Sequence, residues 1–308
     1  MNRCRLFALI LVSSSLFAQM SGPVPPFTGI SHIGIYVNDI DTAHAFYAVL
    51  LGFDEPFSLT RDDGSVAIAF VKVNNSQYLE LLAESCREDG RFSHFAVRTD
   101  SVTLARNYLV SRGVKLVKEI HTGKSGDRFF TVKDPDDHFI EFVQYAQNGW
   151  LERSKRGPQV GPVSRHIVNV GITVRSVDAA LKFYRDILGL RLAFRDGGFH
   201  DQAQWFYLQF PNQKEYVVLM PYVEGSQKPL NHVDLEVSDV KNVVTALQLR
   251  AGSQTSLREI DVEIGDNENL KARLVDPDGM PIDLVTPLKI VDVSRVKGHS
   301  AGPDAPKP

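Results

Sequence analysis

The chain has 308 residues, 43% of them hydrophobic and 23% charged, with a formal net charge of −3. That is length enough for two domains, with an ordinary composition for a globular protein with a packed core. The slight negative charge offers neither a basic field for nucleic acid nor a polybasic patch for a membrane surface.

The first residues read differently from the rest. Residues 1–5 (MNRCR) carry two arginines, 6–12 form a short apolar run, and LFAQ at 16–19 places a small residue near its end. This is the pattern of a secretory signal peptide over residues 1–18, and it implies export to a periplasmic or extracellular compartment; an uncleaved anchor is the alternative. The run is too short to cross a bilayer as a helix, so no membrane span is expected after cleavage. One cysteine then remains, Cys86, and stability has to come from the core rather than from a disulfide.

After a proline-rich lead-in at 21–28, strand and helix alternate. SHIGIYV at 31–37 predicts a strand with His32, Gly34 and Tyr36 on one face and Ile33, Ile35 and Val37 on the other. A helix-length stretch at 41–51 starts near a good N-cap residue and is followed by Gly52 in the C-cap place. Strand-like segments follow at 66–73 and 78–82. The cycle restarts with SHFAVRT at 93–99, a helix over 101–112 closed by Gly113, and strands at 129–132 and 139–145. Residues 148–165, polar and broken by Gly and Pro, read as a linker. Beyond it come NVGITV (169–174), a helix at 178–188 with Gly189, strands at 205–210 and 216–220, HVDLEV (232–237), a helix at 240–250 with Gly252, and a strand at 282–285. Residues 289–308 drift into Gly, Pro, Ser and Lys and read as a disordered tail.

Two blocks, 29–147 and 166–288, therefore repeat each other. Phe46-Tyr47 matches Phe183-Tyr184, and DPDDHFIEFV from Asp134 matches DPDGMPIDLV from Asp276. Each block also contains the order strand–helix–strand–strand–strand twice, so the chain holds four such units. The H-x-x-x-x-V opening strand, the F-Y-x-x-x-L-G-F/L helix end and the D-P-D-x-x-x-I-E/D closing strand resemble the vicinal-oxygen-chelate superfamily. That group includes glyoxalase I, extradiol ring-cleaving dioxygenases, epimerases and drug-resistance binding proteins. The resemblance implies an α+β fold: four βαβββ units forming two tandem glyoxalase-like domains with open, cup-shaped β-sheets, and a metal held on the inner face.

Four side chains stand out on these strands. His32 and His94 begin the inner faces of their strands, while Glu80 in YLELLA and Glu141 in FIEFVQY interrupt otherwise apolar runs. A charge buried there is costly without a cation or a strong hydrogen-bond partner. By the resemblance, His32, Glu80, His94 and Glu141 occupy the positions at which glyoxalase I-like members hold their metal. Two imidazoles and two carboxylates suit one divalent transition metal (Zn, Ni, Co, Mn or Fe) with positions left for water or substrate. Block two carries Asn169, Val218, His232 and Asp283 instead, a depleted set that reads as a structural or substrate-shaping copy. Pairing the first unit with the fourth would assemble His32, Glu80, His232 and Asp283; pairing within block one is preferred because it keeps both glutamates. Tyr36, Arg98 and Phe130 are candidate pocket-lining residues and the loop 121–128 a candidate lid. His44, His138 and His200 read as turn, surface or incidental residues.

The resemblance implies a metal-dependent enzyme acting on a small molecule with vicinal oxygens. The expected chemistry is of the glyoxalase type (lyase, isomerase or epimerase), with Glu141 or Glu80 as general base. The alternatives are an extradiol-type dioxygenase using Fe or Mn on His32, His94 and Glu141, and a non-catalytic small-molecule binding protein. A small-molecule substrate and a monomer or homodimer are expected, with no nucleic-acid partner.

Overall fold

The computed structural model describes residues 23–84, 91–154, 161–196, 204–224, 231–252, 262–264 and 270–287. The expected leader, Cys86, His200 and the expected tail lie outside the described residues.

Block one opens with β1 (Phe27–Val37), α1 (Ile40–His44), β2 (Asp54–Thr60), β3 (Val66–Asn74) and β4 (Gln77–Ala83). It continues with β5 (Phe92–Thr99), α2 (Val102–Ser111), β6 (Leu116–Thr122), β7 (Arg128–Lys133) and β8 (Phe139–Gln144). A single turn, α3 (Trp150–Arg153), forms inside the stretch that reads as linker. Block two opens with β9 (Ile167–Val174), α4 (Val177–Leu181), β10 (Arg191–Asp196), β11 (Trp205–Gln209) and β12 (Tyr216–Pro221). It closes with β13 (His232–Glu236), α5 (Val240–Ala251), β14 (Val262–Ile264), β15 (Leu270–Val275) and β16 (Pro281–Val285).

Each block makes one open eight-stranded sheet, ordered β2-β3-β4-β1-β5-β8-β7-β6 and β10-β11-β12-β9-β13-β16-β15-β14. The two units of a block join through their first strands, which pair antiparallel: β1 with β5, and β9 with β13. The alternation read from sequence holds on β1, where Ile33, Ile35 and Val37 are fully buried in the core beneath the sheet. All four long helical stretches start at a side-chain cap: Asp39, Ser101, Ser176 and Asp239 each accept from a backbone N–H three residues on.

The helices at 41–51 and 178–188 differ from the plain α-helices expected. After α1 and α4 the chain widens into π-turns, Ala45–Leu50 and Lys182–Ile187, closed by Leu51 N–H to Phe46 C=O and Leu188 N–H to Phe183 C=O. Both residues of each Phe-Tyr pair are buried there, although neighbours on an α-helix point about 100° apart. Each tyrosine crosses to the other block. Tyr47 Oη donates to Asp276 Oδ2 at 2.9 Å, and Tyr184 Oη donates to Asp134 Oδ2 at 2.8 Å.

The two sheets turn their helix-bearing faces together and share one hydrophobic core containing Ile33, Leu79, Phe95 and Phe142 with Ile172, Leu219, Val233 and Leu284. The seam is reciprocal elsewhere as well. Gln77 bonds both the N–H and the C=O of Ile167, while Glu215, which begins the corresponding stretch of block two, accepts from Ile30 N–H. Asn38 N–H donates to Asp278 and Arg175 N–H to Asp136. The faces away from this core carry the candidate ligands. Among the described residues, no helix is long and apolar enough to cross a membrane.

Candidate metal centre

His32, Glu80, His94 and Glu141 come from β1, β4, β5 and β8, four adjacent strands at the centre of the first sheet. Gly34 stands opposite both Glu80 and His94, and Ala96 stands opposite Glu141, so the four side chains converge over one point of the sheet. His32 Nε2 lies 3.8 Å from Glu80 and 3.6 Å from Glu141. His94 Nε2 lies 3.6 Å from Glu80 and 3.9 Å from Glu141, and the two Nε2 atoms are 3.0 Å apart.

Neighbouring residues hold the imidazoles in place. A Cβ on Gly34 would overlap the His94 ring, so only glycine lets that ring lie flat against β1. The His32 ring stacks on Tyr78, centroids 4.5 Å apart. Each histidine follows a serine whose hydroxyl meets its Nδ1, Ser31 with His32 and Ser93 with His94, both at 3.1 Å. Burial pulls the His32 imidazole down to about 3. It also pulls His94 down, to about 4, against the opposing attraction of Glu141. Both are therefore neutral near pH 7. Glu80 is pushed well above the usual carboxylate range, by burial first and then by Glu141 and Asp127. Two neutral imidazoles and two carboxylates in one partly buried cluster form a set of lone pairs that a cation could satisfy.

An aromatic wall stands beside the cluster. Phe57, Phe70 and Tyr78 from β2, β3 and β4 pack with Trp150, whose ring stacks on Phe57 at 5.6 Å and meets Tyr78 edge-on at 5.1 Å. Lys72 anchors α3 by donating to Leu151 C=O at 2.6 Å and Ser154 C=O at 2.7 Å. The expected linker thus carries a working piece of the first cup, and Trp150 was not singled out in the sequence. Its signal is an apolar Trp-Leu pair inside a polar run, with Leu151 fully packed.

The alternative set His32, Glu80, His232 and Asp283 is not assembled. Because β13 pairs with β9 and β16, His232 and Asp283 sit in the second sheet and meet Asp234 there. Asp234 follows His232 on the same face and carries no motif of its own in the sequence; its counterpart in block one is Ala96. Val218 stands where Glu80 does, and Asn169 donates to Asp234 at 2.7 Å. Asp283 is matched internally, by Arg273 through two bonds of 2.8 Å and by Lys271 at 2.5 Å. Burial acts to raise Asp283, but these partners and His232 outweigh it and hold it at about 2. The second cup carries its own cations.

Of the remaining candidates, Phe130 does not line the cup. It is fully buried on the core side against Phe142, and Phe129 and Thr131 take the cup face. Arg98 serves the seam, pairing with Glu215 at 3.2 Å. In the stretch 121–128, His121 and Thr122 end β6 and Arg128 begins β7, and the residues between form a tight turn closed by Gly123 N–H to Asp127 C=O. His138 braces the 134–138 turn against Asp134, and His44 pairs with Glu55 at the surface.

The family model described as Glyoxalase/Bleomycin resistance protein/Dioxygenase superfamily matches residues 29–142 and 166–284. Uncharacterized protein YwbC of Bacillus subtilis is 28% identical over 121 residues, 37% of this chain and 96% of that protein. Lactoylglutathione lyase GLX1 of Arabidopsis thaliana is 31% identical over 102 residues, 33% of this chain; the match spans 31% of the lyase. Among solved structures, the Mn(II)-bound glyoxalase from Novosphingobium aromaticivorans superposes with a TM-score of 0.63 at 19% identity, covering 86% of this chain and 84% of that one. The 2,3-dioxygenase LapB from Pseudomonas sp. KL28 gives 0.63 at 14% identity, covering 84% and 93%. At such identities the likeness speaks for the fold. With both blocks matched and the four-unit architecture in place, the chain belongs to the glyoxalase, bleomycin resistance protein and dioxygenase superfamily.

Proposed function

We propose that this chain is a metal-dependent enzyme for a small molecule with two adjacent oxygens, and that its chemistry is lyase, isomerase or epimerase chemistry of the glyoxalase type. The observation that carries the reading is the convergence of His32, Glu80 and His94 at metal-ligand spacing, with Glu141 3.6 Å from His32 Nε2 and 3.9 Å from His94 Nε2, on four adjacent strands. These four residues would hold one divalent transition metal. Bound there, the ion would act as a Lewis acid toward the two substrate oxygens. His32 and His94, neutral because they are buried, leave the negative charge of the site to the carboxylates. Glu80 or Glu141 would take a proton from the substrate carbon and return it, the role of a second carboxylate beside the ligand set. Phe57, Phe70, Tyr78 and Trp150 limit water on one side of the cup.

If the chain is exported, glutathione and coenzyme A thioesters are disfavoured as substrates, because those are mainly cytoplasmic; retention in the cytoplasm would restore them. Ring cleavage of a catechol is the second reading, favoured by the two-block layout shared with the 2,3-dioxygenase LapB. The first experiment is elemental analysis of purified protein beside His32→Ala and His94→Ala. About one equivalent of transition metal, lost in both variants, supports the reading. Protein that stays metal-free after reconstitution overturns it and leaves a non-catalytic binding protein. Oxygen uptake with catechols would favour the dioxygenase; turnover in anaerobic buffer would favour the lyase or isomerase.

A further inference from the structure

The hydroxyl of Tyr145, just past the end of β8, lies 2.8 Å from Ser76 C=O and 2.7 Å from Ser31 Oγ. Ser31 C=O lies farther off, at 3.5 Å, and a carbonyl oxygen only accepts, so the single phenol proton goes to the nearer carbonyl, Ser76. The Ser31 hydroxyl must then donate to Tyr145, which leaves Ser31 Oγ as an acceptor for His32 Nδ1–H at 3.1 Å. The chain has one direction throughout: His32 Nδ1–H to Ser31, Ser31 to Tyr145, Tyr145 to Ser76. Ser76 C=O is itself held by Arg98 Nη1 at 3.1 Å, and Arg98 is paired across the seam with Glu215. Ser31 is fully buried, so no bulk water competes for these bonds.

We propose that Tyr145 is a positioning residue for the metal centre: through Ser31 it holds His32 as the Nδ1–H tautomer, with the Nε2 lone pair turned toward Glu80, His94 and Glu141. The same register in block two puts Val168 at the Ser31 place and Pro287 at the Tyr145 place, and neither offers a hydroxyl. The hydroxyl chain thus accompanies the quartet and is missing beside the depleted set. His94 has no such direction imposed on it. Among the described residues Ser93 Oγ meets only His94 Nδ1, and a hydroxyl with one partner can donate or accept. With His32 so held, its Nε2 would accept in the 3.0 Å contact with His94 Nε2, and His94 would supply the proton in the metal-free site. His32 is the set ligand and His94 the adaptable one.

The metal arm of this inference rests on the reading above; the tautomer arm does not. The test is a long-range proton–nitrogen correlation spectrum of nitrogen-15 histidine-labelled protein, with the His32 signals assigned by their loss in His32→Gln. A Co(II) titration runs in parallel. Wild type is expected to show His32 as the Nδ1–H tautomer. In Tyr145→Phe, Ser31 loses its acceptor and becomes free to donate to Nδ1, so His32 should shift toward the Nε2–H form. Co(II) binding should weaken about tenfold or more, the scale on which partners of ligating histidines act. Tyr108→Phe removes a phenol bond of 2.8 Å, to Ile187 C=O, on the far side of the sheet and should leave both readouts unchanged. An unaltered His32 tautomer in Tyr145→Phe, or an equal shift in Tyr108→Phe, would overturn the proposal. Wild type that takes up no Co(II) would sink the metal reading, while the tautomer comparison still decides this one.

Discussion

Gly34→Ala separates the geometry of the site from the stability of the fold. In a strand interior, alanine for glycine ordinarily returns about 0.5–1 kcal/mol of chain entropy. At Gly34 the added methyl would stand 3.0 Å from His94 Nε2 and nearer still to Cε1 and Nδ1. Carbon atoms in good contact sit about 3.5–4.0 Å apart. The ring must therefore leave its seat, and overpacking of this kind costs about 1–3 kcal/mol. The net loss is about 0–2.5 kcal/mol, a fall of up to several degrees in Tm. Block two supplies a matched control: a Cβ on Gly171 would meet the His232 ring at 2.6 Å from Nδ1 and 2.7 Å from Nε2. Urea denaturation should show similar destabilisation in Gly34→Ala and Gly171→Ala. Elemental analysis should show metal lost from the first and kept by the second. Wild-type metal affinity in Gly34→Ala, or metal release from Gly171→Ala, would refute the placement of the centre over Gly34.

Two further outcomes concern the seam. Burial pulls the His166 imidazolium down, but the Glu215 and Glu236 carboxylates at 3.5 and 3.7 Å outweigh it and raise His166 to about 9. A group raised when folded stabilises fully below its ordinary value near 6.5 and loses that contribution as the pH rises through about 9. Wild-type stability should therefore fall across that window more steeply than that of His166→Gln, as read by urea midpoints; parallel curves would count against the ion pairs. Tyr47→Phe and Tyr184→Phe each remove a phenol bond to a buried aspartate and should each cost about 1.5–3 kcal/mol, near-equal because the bonds are counterparts. Thermal or urea unfolding checks this, and a cost at only one position would deny the symmetry of the seam.

The fold was legible because its signals are periodic. Strands with one apolar face, capped helices and repeated motifs mark units whose order the sheets follow. The four inner-face residues stood out for the same reason: carboxylates in apolar runs are expensive, and expense is visible in sequence. What escaped needs partners from distant positions. Asp234 reads as an ordinary alternating strand residue until His232 and Asn169 meet it and Asp283 stands opposite it. Phe130 and Phe129 are adjacent phenylalanines, and only the register of β7 on β8 says which one faces the core. Trp150 lies among polar residues, and its place against Phe57 depends on α3 folding back over the sheet. Tyr145 closes an apolar run as any strand tyrosine does; its relation to Ser31 spans 114 positions.

The reciprocal bonds along the seam have a consequence for how the two halves share work. Tyr47 to Asp276 answers Tyr184 to Asp134, and Gln77 to Ile167 answers Glu215 to Ile30. This is the contact pattern of an isologous dimer, closed here within a single polypeptide. Such an interface is kept by a handful of residues, none of which is a candidate ligand. The opposite faces are consequently free to diverge: one half can exchange a carboxylate for Val218 and shield Asp283 with lysine and arginine while remaining a full structural partner to the other.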